Sequence, residues 1–108
     1  METIKQIVFR ESDLVVMIIP KSDAQVIPRF LNEMQESDRA PLEALKTLCR
    51  TFINSELKYV VYVSEGNALN IEGEAEAENV TKIVSEMSVE DKAIVDNAGL
   101  ICTQFINA

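Results

Sequence analysis

The sequence predicts an α+β fold: an internal duplication of a ββαα unit that forms a pseudo-twofold, four-stranded antiparallel sheet packed with four helices. β-Branched apolar runs alternate with stretches of helical apolar spacing, and residues 4–54 match residues 57–107 at a constant offset. At 108 residues the chain has the length of one domain, and two independent halves would each bury too little surface. We therefore expect one domain, residues 1–108, in which the repeats 4–54 and 57–107 share a core.

The duplication signal is an ungapped alignment of the two halves. It gives twelve identical pairs, where average residue usage gives about three or four. A fused homodimer is a natural origin for such a chain, because an isologous interface stays self-complementary after fusion. The identical pairs are Lys5/Lys58, Val8/Val61, Ile18/Ile71, Ala24/Ala77, Glu33/Glu86, Met34/Met87, Asp38/Asp91, Ala40/Ala93, Cys49/Cys102, Phe52/Phe105, Ile53/Ile106 and Asn54/Asn107.

The first half begins with two strands. Ile4–Phe9 and Leu14–Ile19 are apolar runs joined by the short polar segment Arg10–Asp13, which predicts a hairpin. The second run lacks polar alternation, so both of its faces must be covered, either inside the sheet or in an oligomer. If Leu14–Ile19 lies at a sheet edge, we expect a homodimer through that edge.

Two helices are predicted to follow in the first half. Ser22 and Asp23 are candidate N-caps of the first helix. Ser37-Asp38 is predicted to cap the second helix, which ends at about Asn54. Their apolar stripes are Ile27, Phe30, Leu31 and Met34 for the first helix, and Leu42, Leu45, Leu48, Cys49, Phe52 and Ile53 for the second.

The second half follows the same order. Lys58–Val63 and Ala68–Ile71 form a hairpin through the turn Ser64–Asn67, and a helix carries Val80, Ile83, Val84 and Met87. A last helix begins at a capping box, Ser88 to Asp91. Local propensity would permit a final strand at Leu100–Ile106, but the match to the first half favours a helix there.

Charge is concentrated in the second half. The net charge is -8, and residues 1–54 carry seven basic and eight acidic groups, whereas residues 55–108 carry three and ten. Direct binding to nucleic acid or to an anionic membrane is disfavoured, because both need clustered basic residues. We see neither a signal peptide nor an apolar run long enough to span a membrane, so we expect a cytoplasmic protein.

The residue types argue against catalysis. The chain has no histidine, which excludes histidine-based triads and the commonest transition-metal ligand. Cys49 and Cys102 lie on apolar helical stripes, where burial raises a thiol pKa, so both are predicted to be core residues. No phosphate-binding glycine motif occurs among the three glycines. We therefore expect a non-enzyme with no cofactor and no metal.

One charged constellation stands out: Glu72, Glu74, Glu76 and Glu78. A structural interpretation places them at a strand end and in the first turn of a helix, where carboxylates complement the helix dipole. A functional interpretation is an acidic docking surface for a basic partner. A divalent-metal site is a third, although the spacing lacks the calcium-loop pattern. We take these four glutamates as the candidate partner-binding residues.

These observations favour a small acidic protein-binding module, a regulator, adaptor or inhibitor that acts through the acidic surface of the second repeat. One alternative is DNA mimicry, in which spaced carboxylates imitate phosphates and inhibit a nucleic-acid-binding protein. Another is a small-ligand binder at the cleft between the repeats. Of the identical surface pairs, only Glu33/Glu86 has no structural explanation in the sequence.

Overall fold

A computed structural model of the chain describes residues 3–22 and 25–108. These residues form one six-stranded antiparallel sheet with two α-helices. The strands are β1 (Ile4–Arg10), β2 (Val15–Pro20), β3 (Ile27–Phe30), β4 (Leu57–Val63), β5 (Ala68–Gly73) and β6 (Asn79–Ile83). The helices are α1 (Glu36–Arg50) and α2 (Val89–Ile106), and 3₁₀ turns lie at Leu31–Glu33 and Val84–Glu86.

The strand order is β3-β2-β1-β4-β5-β6. β1 and β4 pair at the centre, with Val8 opposite Val61, so the two predicted hairpins are joined into one sheet. Both hairpins are confirmed. The sheet ends at β3 on one side and at β6 on the other, and these are its two edges.

Both helices pack on the same face of the sheet. On the central strands the side chains of Ile7, Phe9 and Val60 point toward the helices and are buried, because alternate residues of a strand face opposite sides. The helices contribute the buried side chains of Leu42, Leu45, Leu48, Cys49, Val95, Ala98 and Cys102. The core is therefore a single layer between the sheet and the helix pair.

The last helix is confirmed, and so is its cap. Ser88 accepts a hydrogen bond from the Asp91 N–H at 3.2 Å, which satisfies one of the unpaired donors at the start of α2. The segment Leu100–Ile106 is helical, not extended. At the other helix, α1 begins at Glu36 with Gln35 as the cap residue, so Ser37 lies in its first turn instead of capping it.

The predicted fold class is wrong in its count of elements: the sheet has six strands instead of four, with two α-helices instead of four. Two segments predicted as helices are edge strands, β3 and β6, each followed by a 3₁₀ turn. The apolar spacing that predicted a helix arises because the strand and the turn after it each place side chains on the core, whereas Phe30 and Ile83 of the predicted stripes lie on the opposite face. The Ser22 cap is wrong as well, and Asp23 lies outside the described residues.

The predicted pseudo-dimer of ββαα units is also wrong, because no such unit exists in the structure, and the internal repeat in that form is unsupported. The predicted dimer edge is absent too. The run Leu14–Ile19 lies inside the sheet, where β2 pairs with β1 on one side and with β3 on the other. Among the described residues, no helix is both long enough and apolar enough to cross a membrane.

Candidate interaction surfaces

The structure distributes the four predicted glutamates over the end of β5 and the loop that leads to β6. Glu72 is on β5, with its carboxylate 3.7 Å from the Lys58 ammonium, and its hydrogen bond with Tyr59 raises the pKa of that phenol. Glu74 and Glu76 are exposed in the loop. The predicted first turn of a helix is wrong, because this loop leads into a strand.

Glu78 has an internal role. Its carboxylate accepts hydrogen bonds from the N–H groups of Asn54, at 2.8 Å, and Ser55, at 2.9 Å, and from the Ser55 hydroxyl. These bonds hold the pKa of Glu78 below its ordinary value, because they stabilise the charged form. The four glutamates therefore do not form one row of free carboxylates, and the acidic loop surface consists of Glu74 and Glu76.

The outer side of β6 carries unpaired backbone groups. The N–H of Val84 donates to the Asn67 carbonyl at 2.9 Å, and Gly73 donates to the Glu78 carbonyl at 3.0 Å. Since hydrogen-bonded positions alternate along an antiparallel pair, the backbone groups of Asn79, Thr81 and Ile83 point away from β5. All three residues are exposed, and none is a proline.

A cleft of about 370 Å³ runs beside β6 on the helix side. Phe52 and Met87 give it apolar walls, and Glu86 and Asp91 give it carboxylates. The Lys82 ammonium lies 4.9 Å from the centre of the Phe52 ring, a cation–π contact. The cleft thus combines an apolar floor with acidic side chains next to a free strand edge.

The β3 edge has a similar cleft, of about 410 Å³, lined by Met34, Glu33, Asp38 and Phe105. Arg29 lies over the Phe105 ring at 5.3 Å, as Lys82 lies over Phe52. The identical surface pair Glu33/Glu86 thus occupies matching clefts, which the sequence alone did not explain.

The face of the sheet opposite the helices is not covered by any described element. Its side chains, assigned from the cross-strand register, are mostly apolar, and the charged ones are Arg10 and Glu72, with the Lys58 ammonium beside Glu72. The apolar members are Val8, Val15, Met17, Ile19, Pro28, Phe30, Tyr59, Val61, Val63, Ala68 and Ile83. We call this set of side chains, with the polar ones among them, the open face.

A third cleft, of about 460 Å³, lies between α2 and the adjoining ends of β1 and β4. It is the nearest equivalent of the predicted small-ligand site. Three of its hydroxyl groups donate within the protein: Tyr62 to Asn67, Ser64 to the Ile4 carbonyl, and Thr103 to the Gly99 carbonyl. Lys21 and Asp96 also line the cleft and add one charge of each sign.

Reactive chemistry has little support from the described residues. Cys49 and Cys102 are buried, as predicted, and desolvation raises the pKa of each thiol to about 12, which keeps both protonated. No three described side chains of the metal-binding types come close enough together to hold an ion. Lys46 is buried, but it is paired with Glu11 at 2.9 Å.

Sequence reasoning missed both edge clefts, because it placed their strands inside helices. The β-branched pair Val80-Thr81 and the proline of β3 were the available signals. No protein-family description, no curated protein and no solved structure matches this chain. The geometry of the surfaces is therefore the basis on which a function can be argued.

Proposed function

We propose that this chain is a protein-binding module that accepts an extended, basic segment of a partner protein as an added strand along β6. One observation carries the proposal: the outward backbone groups of Asn79, Thr81 and Ile83 have no strand of the described residues beside them. Such an edge is a template for strand addition, in which main-chain hydrogen bonds supply affinity. A regulator, adaptor or inhibitor can bind its partner in this way.

The charge around β6 supports a basic partner. The exposed carboxylates of Glu74 and Glu76 precede the strand, and the exposed Glu86 and the half-buried Asp91 follow it. Lys82 is the one basic residue in β6, and its ammonium lies over an aromatic ring. Acidic groups at both ends of an edge speed the association of a basic segment and disfavour an acidic one.

The cleft beside β6 favours a partner segment in which basic and β-branched side chains alternate. Side chains of an added strand point alternately to the two faces of the sheet, so every second one enters the cleft. There Phe52 and Met87 offer apolar contact, while Glu86 and Asp91 accept hydrogen bonds from lysine or arginine. The segment expected to bind best carries basic groups on the cleft side and β-branched residues on the other.

The proposal is tested by titrating the ¹⁵N-labelled protein with a peptide of alternating lysine and valine, of about eight residues, a usual strand length. We expect the largest amide shifts at Asn79, Thr81 and Ile83, whose N–H groups gain acceptors. Thr81→Pro removes the central outward donor without removing a bond to β5. We expect it to weaken binding at least about tenfold, or about 1.4 kcal/mol.

The matched control is Thr81→Val, which keeps the N–H but, like the proline, loses the 2.8 Å hydrogen bond from the Thr81 hydroxyl to Asn70. It should bind the peptide as the wild type does. An alternating glutamate and valine peptide should bind more weakly, and added salt should reduce the difference between the two peptides. Equal affinity of wild type and Thr81→Pro would show that β6 is not the binding edge.

A further inference from the structure

The open face poses a separate question, because the sequence of β2 is that of a strand buried on both sides. The first five residues of β2, Val15 to Ile19, are all apolar. They lack the alternation of polar and apolar residues that is typical of a strand with one solvent-exposed face. Val16 and Ile18 pack under the helices and are fully buried. Val15, Met17 and Ile19 point the other way; Val15 is buried, whereas Met17 and Ile19 stay partly exposed in the single chain.

The charge of the open face differs from that of the rest of the chain. The net charge of the chain is -8, yet the charged side chains at the open face are Glu72 and Arg10, with the Lys58 ammonium 3.7 Å from Glu72. Depletion of charged residues, together with apolar and aromatic side chains, is typical of the core of a protein interface. A strongly charged partner gains nothing at such a face, whereas two neutral faces meet without repulsion at the contact.

The open face also has the size that a stable dimer needs. Six strands about 4.8 Å apart and three rows of side chains about 7 Å apart make a face on the order of 600 Å² in flat projection. A standard interface covers about 800 Å² of accessible surface on each partner. The accessible area of a corrugated face exceeds its flat projection, so the open face is of the same order of size as one side of a standard interface.

We propose that the open face is covered by the open face of a second copy of this chain. The contact is isologous, so the two sheets stack about 10 Å apart with the helix pairs outside. Val8 and Val61 lie at the centre of each face, and Phe30 and Ile83, the most exposed of its large side chains, lie near its two ends. Both β6 edges remain free, so the dimer presents two edges for strand addition.

The test is the mass of the full chain in solution, measured by sedimentation velocity over a concentration series. We expect the wild type to have twice the mass of one chain, which is 12.1 kDa. Val61→Glu places a carboxylate at the centre of each face and should reduce the mass to that of one chain. Thr47→Glu adds the same charge at an exposed position on α1 and should leave the dimer intact.

A wild type that stays at 12.1 kDa at high micromolar concentration would overturn the second copy as the occupant. So would a Val61→Glu variant that keeps the dimer mass and a native circular dichroism spectrum. If Val61→Glu does not fold, the concentration series of the wild type still decides the question. Val61 lies on β4, two strands from the β6 edge, so the single chain of Val61→Glu should still bind the lysine and valine peptide at β6. A failure of strand addition is therefore distinguishable from a failure of this dimer.

Discussion

The two edges of the sheet have similar side chains but different backbones. Each edge strand is followed by a 3₁₀ turn, and each carries a cation over a phenylalanine, Arg29 over Phe105 and Lys82 over Phe52. The backbones differ at one pair of equivalent positions: Pro28 of β3 lies opposite Met17 of β2, whereas Thr81 of β6 lies opposite Asn70 of β5. We infer that side chains shape the two clefts, whereas the outward backbone N–H, present at Thr81 and missing at Pro28, distinguishes the edge proposed to accept a strand.

The largest expected effect comes from giving β3 the outward backbone N–H that Pro28 lacks. Pro28→Thr gives β3 an outward donor at the position that Thr81 occupies in β6, because Leu31 donates to the Leu14 carbonyl and alternate residues face outward. We expect the alternating lysine and valine peptide to bind at both edges of the variant, so calorimetry should show a stoichiometry that rises from one peptide per chain toward two.

The control for Pro28→Thr is Pro28→Ala, which restores the N–H with a smaller side chain and a lower strand propensity. Both variants should gain amide shifts in β3 during the titration, with Pro28→Thr gaining the tighter site. If neither variant gains a second site while β6 still binds, the difference between the edges lies in their side chains. The comparison drawn above would then be wrong.

A smaller effect concerns the loop that leads into β6. Glu78 lies directly before the strand, and its carboxylate accepts bonds from the Asn54 and Ser55 N–H groups. Because its pKa is lowered in the folded state, the stabilisation is complete above the ordinary value of 4.5 and is lost as the pH falls through the lower folded pKa. We expect Glu78→Gln to lower the free energy of unfolding at neutral pH and to matter progressively less in acid.

Urea unfolding from neutral to acidic pH measures this effect, with Glu76→Gln as the matched control. Glu76 lies in the same loop, but its carboxylate has no hydrogen bond to any described residue. Its substitution removes the same charge and should leave both the stability and its pH dependence near those of the wild type. A difference between wild type and Glu78→Gln that does not change with pH would contradict the role assigned to this carboxylate.

The sequence predicted the parts of the fold in which local pattern and tertiary burial agree. The two hairpins, the N-cap at Ser88 and the burial of Cys49 and Cys102 are of this kind. It failed at the edges, where the strands Ile27–Phe30 and Asn79–Ile83 are short. A strand of four or five residues followed by a turn spaces its apolar residues as a helix does, and only pairing with β2 or β5 distinguishes the two.

The candidate sites were less predictable than the fold for a related reason. Four glutamates in one stretch of sequence indicated one acidic surface, but a carboxylate can turn inward to a backbone N–H, as that of Glu78 does. Free strand edges and uncovered sheet faces depend on strand order, which no single segment specifies. The apolar run Val15 to Ile19 came closest, because it required burial on both sides before the sheet was known.

The smallest expected effect tests whether the two cation–π contacts are equivalent. Double-mutant cycles pair Lys82→Met with Phe52→Leu and Arg29→Met with Phe105→Leu, which isolates each coupling from the packing of the rings. We expect couplings of about 0.5–1 kcal/mol in urea unfolding, with the arginine pair at least as strong, since a planar guanidinium stacks on a ring. Zero coupling at both edges would contradict any stabilising role for these contacts.

Repeating the lysine cycle with the alternating peptide bound sharpens the comparison further. An added strand along β6 brings its own cations to Glu86 and Asp91, next to Lys82, and like charges repel in a confined cleft. Lys82 should then leave the Phe52 ring, and the coupling should fall toward zero in the complex. The Arg29–Phe105 coupling should not change, because Pro28 keeps the peptide from the β3 edge; an equal loss at both edges would mean that the peptide binds elsewhere.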